Sequence, residues 1–93
     1  MSLIVMKFGG TSVADIKKIK NVANIVSQEA QKNKIIVVVS AMAGVTNKME
    51  NYIKDINSDH NLENDLILTS GENVTIGLLS AILKDIGIHS LPL

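Results

Sequence analysis

Two short runs of aliphatic residues constrain the fold of this 93-residue chain more than any other feature. The first, Leu3–Phe8, is interrupted only by Lys7 and stops at a pair of glycines, whereas the second, Ile35–Val39, consists of five β-branched residues. β-branched side chains favour strands over helices, and a nearly continuous apolar run is typical of a strand that is buried on both faces. The sequence therefore predicts two buried strands of a parallel sheet.

Helical periodicity fills the segments between and after these runs. Apolar residues recur every three or four positions from Val13 to Ala30, from Met49 to Ile56 and from Leu62 to Ile86. We expect Gly71 to interrupt the third helix and Gly87 to cap its carboxyl end. The sequence thus predicts one helix between the two strands and two helices after the second strand.

The ends of the elements complete the predicted topology. Ser12 and Asp15 have the spacing of a capping box at the start of the first helix. The segment Ile88–Leu91 is apolar enough to begin a third strand. The resulting order β-α-β-α-α-β implies right-handed crossovers and an α/β fold with three αβα layers around a mainly parallel sheet. Residues 1–93 are long enough for one compact unit and too few for two domains.

Composition excludes several classes of function. Nine lysines balance nine acids, so no net field attracts nucleic acid or an anionic membrane, and scarce aromatic residues leave no stacking platform for bases. No aliphatic stretch is as long as a membrane span, and the absence of cysteine fits a reducing cytoplasm. Because there is no arginine, a phosphate site here would use lysine charges and backbone NH groups.

The loop after the first strand has the features of a phosphate site. Gly9, Gly10, Thr11 and Ser12 connect a strand to a helix N-terminus, where free NH groups and the helix dipole favour an anion. Lys7 at the strand end can bring an ammonium to the same place. The pattern matches neither a dinucleotide-binding motif nor a P-loop. A tight turn beside an exposed lysine remains the alternative.

The loop after the second strand, Ser40–Thr46, is rich in small residues and lies at the same edge of the predicted sheet. Loops at the carboxyl ends of parallel strands commonly build ligand sites, so its hydroxyl and NH groups suit a polar ligand. The alternative is structural, since Thr46 could simply cap the helix that follows.

Three titratable side chains stand apart from the general surface pattern. Glu72 follows Gly71 within an apolar helical stretch, so it either faces solvent at a helix break or binds a cationic group such as an amine. His60 lies in a polar turn and His89 near the end of the chain. Neither histidine has a neighbour at metal-ligand spacing, so we expect surface roles and no metal site.

Three sequence blocks, in this order and spacing, resemble those of the aspartokinases, which have the amino acid kinase (carbamate kinase-like) fold. The blocks are Lys7-Phe8-Gly9-Gly10-Thr11-Ser12-Val13, Val38-Val39-Ser40-Ala41-Met42-Ala43-Gly44-Val45-Thr46, and Leu68-Thr69-Ser70-Gly71-Glu72 leading into Leu78-Leu79-Ser80. The resemblance extends from about Leu3 to the end of the chain. Acetylglutamate kinase and uridylate kinase differ in these blocks.

The resemblance implies transfer of the γ-phosphate of ATP, bound with Mg²⁺, to the β-carboxylate of L-aspartate. This is the first step toward lysine, threonine and methionine. The residues in matching positions are Lys7, Gly9, Gly10, Thr11 and Ser12 for the phosphates of ATP, and Ser40, Thr46 and Glu72 for aspartate. Lys7 would neutralise charge on the transferring group, and Glu72 would pair with the α-ammonium of aspartate. No tightly bound cofactor is implied.

The resemblance also implies that the chain is the N-terminal portion of a catalytic domain. In aspartokinases the nucleoside half of the ATP site and the regulatory ACT domains follow the region matched here, so we expect the 93 residues to be inactive alone. A second hypothesis is a non-catalytic α/β module, left by gene truncation, that self-associates through an exposed sheet edge. A sister amino acid kinase is a third.

Overall fold

The computed structural model describes residues 2–93, which contain two strands and three helices. In chain order these are β1 (Leu3–Phe8), α1 (Ile16–Ala30), β2 (Lys34–Val39), α2 (Val45–Asp55) and α3 (Asn61–Asp85). The two strands pair in parallel, with Leu3 opposite Lys34 and Phe8 opposite Val39. The predicted parallel pairing is confirmed, and α1 is the crossover between the strands.

The core lies between one face of the sheet and two helices. Its buried apolar residues come from α1, α3, the turn before α1 and the end of β2, and they are Val13, Ile19, Val22, Ala23, Val26, Val39, Leu79 and Leu83. Half-buried strand residues such as Met6 and Val37 pack against this cluster. Helices α1 and α3 therefore cover the same face of the sheet.

The opposite face of the sheet is open to solvent. Leu3, Val5, Ile36 and Val38 point away from the core and are 62%, 58%, 49% and 44% exposed. The expectation that both strands are buried on both faces is therefore wrong within residues 2–93. Residues 2–93 form a sheet that is covered by helices on one face, which corresponds to two of the three predicted layers.

The start of α1 differs from the predicted capping box. Asp15 itself is the N-cap, and its carboxylate accepts a hydrogen bond of 2.8 Å from the Lys18 NH. Ser12 lies in a preceding turn, where its NH donates to the Gly9 carbonyl at 3.0 Å. Val13, which is fully buried, draws this turn into the core before the helix begins. The helix therefore starts three residues later than a Ser12 cap requires.

Helix α3 runs without a break through Gly71, so the predicted interruption is wrong. Glycine in a helix interior costs roughly 1 kcal/mol relative to alanine. Here the glycine is buried against a neighbouring segment, since a Cβ built on it would lie 2.8 Å from Val45 Cγ1 and 3.0 Å from Ala41 Cβ. Tertiary packing explains why this helix keeps a glycine at that position.

The carboxyl end of α3 is closed by Gly87 as predicted. Gly87 has φ of +87°, its NH donates to Lys84 O at 3.1 Å, and the Ile88 NH donates to Leu83 O at 2.9 Å. The expected strand over Ile88–Leu91 is absent from residues 2–93. Within residues 2–93 this segment forms no backbone ladder with β1 or β2, and the Ser90 hydroxyl instead bonds the Ser80 hydroxyl of α3 at 2.7 Å.

Helix α3 is also the one helix in the described part of the chain that is long and apolar enough, by length and composition, to cross a membrane. It packs against α1 and α2 and buries the polar side chains of Thr75 and Ser80. A core helix of a folded domain satisfies the same criteria. These contacts account for its buried apolar residues, such as Leu79 and Leu83, whereas Leu62, Leu66 and Val74 of the same helix are exposed.

The capping geometry makes a prediction about stability. Replacing Asp15 with alanine removes the acceptor for the Lys18 NH and should lower the free energy of unfolding by about 1 kcal/mol. Ser12→Ala should change it by less than half of that, because the Ser12 side chain forms no hydrogen bond within residues 2–93. Urea denaturation followed by circular dichroism measures both. Equal losses would restore the capping-box interpretation.

Candidate functional site

The loops that follow β1 and β2 lie together at the carboxyl edge of the sheet. The Ser40 NH donates to the Phe8 carbonyl at 3.2 Å, which ties the two strand ends to each other. A Cβ built on Gly10 would lie 3.2 Å from the Ala41 carbonyl oxygen. The two loops therefore meet through their backbones at Gly10 and Ala41.

Helix α3 reaches the same carboxyl edge from the face of the sheet that it covers. The residues at its carboxyl end line one groove with Lys34 at the start of β2, whereas Gly71 contacts Ala41 just beyond the end of β2. The helix thus runs antiparallel to the strands. Contacts from Gly10 to Ala41, and from Ala41 to Gly71, bring all three sequence blocks to one edge of the domain.

Several backbone NH groups at this edge have no acceptor. Within residues 2–93, the NH groups of Gly9, Gly10 and Thr11 donate to no backbone or side-chain atom, and the same holds for residues 41–44. The Ser12 NH differs because the Gly9 carbonyl already accepts it. Two facing loops with free NH groups form a favourable environment for an anion. Ser12 can add only its hydroxyl.

Thr46 is not the cap of α2, so that alternative is wrong. The N-cap is Gly44, which has φ of +85° and provides no side-chain hydrogen bond. Thr46 lies in the first turn, where backbone NH groups have no partner within the helix. Its exposed hydroxyl, like that of Ser40, forms no hydrogen bond within residues 2–93. Both hydroxyls are therefore free to bind a ligand.

Glu72 is exposed, and none of the cations in residues 2–93 lies within ion-pair distance of its carboxylate. It follows Gly71 directly and lies one turn before Ile76, which packs against the core. The contact of the neighbouring Gly71 with Ala41 places the backbone of Glu72 at the edge of the sheet where both loops lie. A free carboxylate at that position can accept an ammonium group.

Lys7 is exposed and lies on the open face of the sheet, in line with Leu3 and Val5. Glu72 is on a helix that packs against the opposite face. The structure therefore places the two side chains near the same edge but on different sides of the sheet plane. A ligand that meets both must lie beyond the strand ends, over the loops.

A cleft of mixed polarity beside the first loop was missed by sequence reasoning. It has a volume of about 390 Å³ and is lined by Phe8, Thr11, Ser12, Lys18, Asn21, Val22 and Ile25. Within it, the Lys18 ammonium donates to the Thr11 carbonyl at 3.3 Å. The sequence did contain a signal for this cleft. Lys18 lies three residues after Asp15, in the first turn of α1, and a long side chain at that position can reach back to the preceding loop.

The other groups singled out in the sequence lie elsewhere. His60 is exposed beside Asp59, with 3.7 Å between Nε2 and Oδ1, and His89 is exposed as well. Across residues 2–93 no three His, Asp or Glu side chains are grouped closely enough to hold a metal ion. A larger groove of about 650 Å³ runs along β2 from Lys34 to Val39, beside α3 and residues 87–93, and none of the predicted site residues lines it.

The chain matches the amino acid kinase family over residues 2–93. It is 49% identical over 90 residues to an aspartokinase of Rickettsia felis, a match that covers 91% of this chain and 22% of that protein. It is 45% identical over 95 residues to an aspartokinase of Geobacillus stearothermophilus, covering 100% of this chain and 23% of that protein.

A solved structure agrees with the sequence matches. The crystal structure of aspartate kinase from Synechocystis superposes with a TM-score of 0.87 at 40% identity, over 91% of this chain and 15% of that one. The chain spans between a fifth and a quarter of the length of these curated relatives, 22% and 23%. Both comparisons confirm the predicted partial α/β fold and the resemblance on which it was based.

The contact between the two loops makes a prediction that separates adjacent glycines. Gly10→Ala should lower the free energy of unfolding by about 1 kcal/mol, because its Cβ must push against the Ala41 carbonyl. Gly9→Ala is the matched control, since a Cβ at Gly9 meets nothing within 4 Å. Thermal denaturation of both variants measures the difference. If Gly9→Ala proved the more destabilising, the loop contact described above would be wrong.

Proposed function

Because the chain belongs to the amino acid kinase family, we propose that it forms the aspartate and phosphoryl half-site of an aspartokinase. The reaction of the whole protein would transfer the γ-phosphate of ATP to the β-carboxylate of L-aspartate, which gives 4-phospho-L-aspartate and ADP. The observation that supports this best is the convergence of three segments, with free NH groups, two free hydroxyls and an unpaired carboxylate, on one edge of the sheet.

The chemistry of phosphoryl transfer suits the residues at this edge. A carboxylate nucleophile carries no proton to remove, so the reaction needs no general base, and catalysis rests on positioning and charge stabilisation. The nearby side chains are hydroxyls, the two lysines Lys7 and Lys18, and one acid. This set can hold and orient two anionic groups without a catalytic histidine or aspartate.

The phosphoryl half of the site would be built from the first loop. The NH groups of Gly9 and Gly10 would contact phosphate oxygens, the hydroxyls of Thr11 and Ser12 would add hydrogen bonds, and Lys7 would neutralise developing charge. Mg²⁺ would come with ATP, whose phosphates supply oxygen ligands of the type that this ion prefers.

The aspartate half would be built from the second loop and α3. Glu72 would accept the α-ammonium of aspartate, and the hydroxyls of Ser40 and Thr46 would donate to its carboxylates. These groups lie on either side of the contact between Gly71 and Ala41. A short amino acid with charges of both signs would fit such an arrangement.

We expect the isolated 93 residues to bind without turning over, since they cover 22% of the length of the Rickettsia felis aspartokinase. The nucleoside half of the ATP site would be provided by a further part of a complete kinase. Amino acid biosynthesis in the cytoplasm is the setting that this function implies. Association with further copies of the chain is part of the same proposal.

The role of Glu72 can be tested by isothermal titration with L-aspartate. Glu72→Gln keeps the size of the side chain but removes its charge, so it should weaken binding about tenfold or more. Glu63→Gln is the control, because Glu63 is an exposed acid in the first turn of the same helix. Should the two variants bind aspartate equally well, Glu72 would not be the ammonium ligand.

The role of Lys7 can be tested with ATP. Lys7→Ala should weaken ATP binding about tenfold, because a charged contact to phosphate is lost. Lys34→Ala is the control, since Lys34 is exposed on the same sheet face at the opposite end of the strands. Equal losses in both variants would indicate a general charge effect.

Hydroxylamine trapping of the acyl phosphate tests the catalytic part of the Lys7 proposal. The purified chain should give no aspartyl hydroxamate. If the chain did form aspartyl hydroxamate and Lys7→Ala abolished it, the predicted inactivity of the isolated chain would be refuted. The kinase assignment would then be supported. Glutamate assayed beside aspartate would expose the activity of a sister family.

One observation favours the second hypothesis, a self-associating module without catalysis. Four apolar side chains on the open sheet face are between 44% and 62% exposed, and such a patch favours association. A module of this kind would bind neither aspartate nor ATP. Sedimentation of the chain as a clean monomer would remove the reason for considering it.

A further inference from the structure

We propose that Gly71 is a positioning residue for the amino acid half-site. Its missing side chain sets the distance between Glu72 on α3 and the loop that carries Ser40 and Thr46. The identity of the ligand in this inference rests on the function proposed above. The distance itself is a property of the fold and can be tested separately.

The contact at Gly71 is unusually close. A Cβ there would meet Val45 Cγ1 at 2.8 Å and Ala41 Cβ at 3.0 Å, both shorter than an ordinary carbon–carbon contact of about 3.5–4.0 Å. Ala41 is buried and its carbonyl abuts Gly10, so it cannot withdraw without disturbing the first loop. Because the Ala41 contact is with the first carbon of a side chain rather than with a flexible end, we expect a side chain at position 71 to be accommodated by a shift of α3 relative to the loop.

A second glycine in the same helix shows that this feature is local. Gly77 is exposed, and a Cβ built on it meets nothing within 4 Å. Alanine is the better helix former at both positions. Only at Gly71 does the surrounding packing require glycine, and that position immediately precedes the acid proposed to bind the substrate.

The consequence for the ligand follows from where its two ends would bind. The ammonium would be held by α3 and a carboxylate by the second loop, so the separation of these elements limits the length of the amino diacid. Aspartate and glutamate differ by one methylene group. Moving α3 outward by several tenths of an ångström should weaken aspartate binding and reduce the preference for aspartate over glutamate.

The test compares Gly71→Ala with Gly77→Ala in the full 93-residue chain by titrating each with L-aspartate and L-glutamate. We expect Gly71→Ala to weaken aspartate binding about tenfold and glutamate binding less, whereas Gly77→Ala leaves both unchanged. The double variant Gly71→Ala with Val45→Ala removes the shorter of the two contacts and should recover part of the aspartate affinity. If Gly71→Ala alone fails to fold, the affinities of this double variant for the two amino acids are compared with those of Gly77→Ala instead.

Amide resonances of the ligand-free protein give a readout that does not depend on the substrate. Gly71→Ala should shift the resonances of residues 40–46, and Gly77→Ala should leave them in place. If the parent chain bound neither amino acid, the proposed function would fail, while such shifts would still support the spacing role. Unmoved resonances, or equal losses of affinity for both amino acids, would overturn the inference.

Discussion

The close packing of helix α3 against the loop after β2 is the contact on which the rest of the site depends. Gly71 meets Ala41 and Val45, and the carbonyl of Ala41 in turn meets Gly10. Through these contacts, three segments that are far apart in the sequence share one edge of the sheet. A side chain larger than hydrogen at Gly71 or Gly10 would crowd these contacts.

The chemistry of this edge follows from what the chain lacks as well as from what it has. Without arginine, anion recognition falls to backbone NH groups, and the structure leaves those of Gly9 to Thr11 and of residues 41–44 without acceptors. Unpaired NH groups are costly when they are buried and useful when a ligand satisfies them. The small residues of both loops allow a ligand to approach the main chain closely.

Much of the fold could be predicted because it depends on local patterns. The strands at Leu3–Phe8 and Lys34–Val39 were evident from their aliphatic runs, and the Gly87 cap from helix-ending chemistry. The break expected at Gly71 was wrong because burial against Ala41 and Val45 is a tertiary effect that propensity does not contain. The strand expected at Ile88–Leu91 does not form within residues 2–93, where the segment pairs with neither β1 nor β2 and Ser90 bonds Ser80 on α3.

Part of the candidate site could be predicted as well. The two loops were assigned to one edge of the sheet from the parallel topology alone, and the structure brings them together there. Two features could not be predicted, because they depend on the direction of individual side chains. Lys7 lies on the open face of the sheet at the end of a strand, and Lys18 at the start of a helix bonds the Thr11 carbonyl. The roles of Lys7, Ser40, Thr46 and Glu72 remain predictions.

Our central proposal is that the loops after β1 and β2, together with Gly71 and Glu72 of α3, form a single pocket for an amino diacid. Amide resonance mapping of the isotope-labelled chain during titration with L-aspartate tests it most directly. The account predicts saturable shifts that are confined to residues 40–46, 71–72 and the first loop. Shifts located instead around the apolar groove at residues 87–93, or no shifts at all, would contradict it.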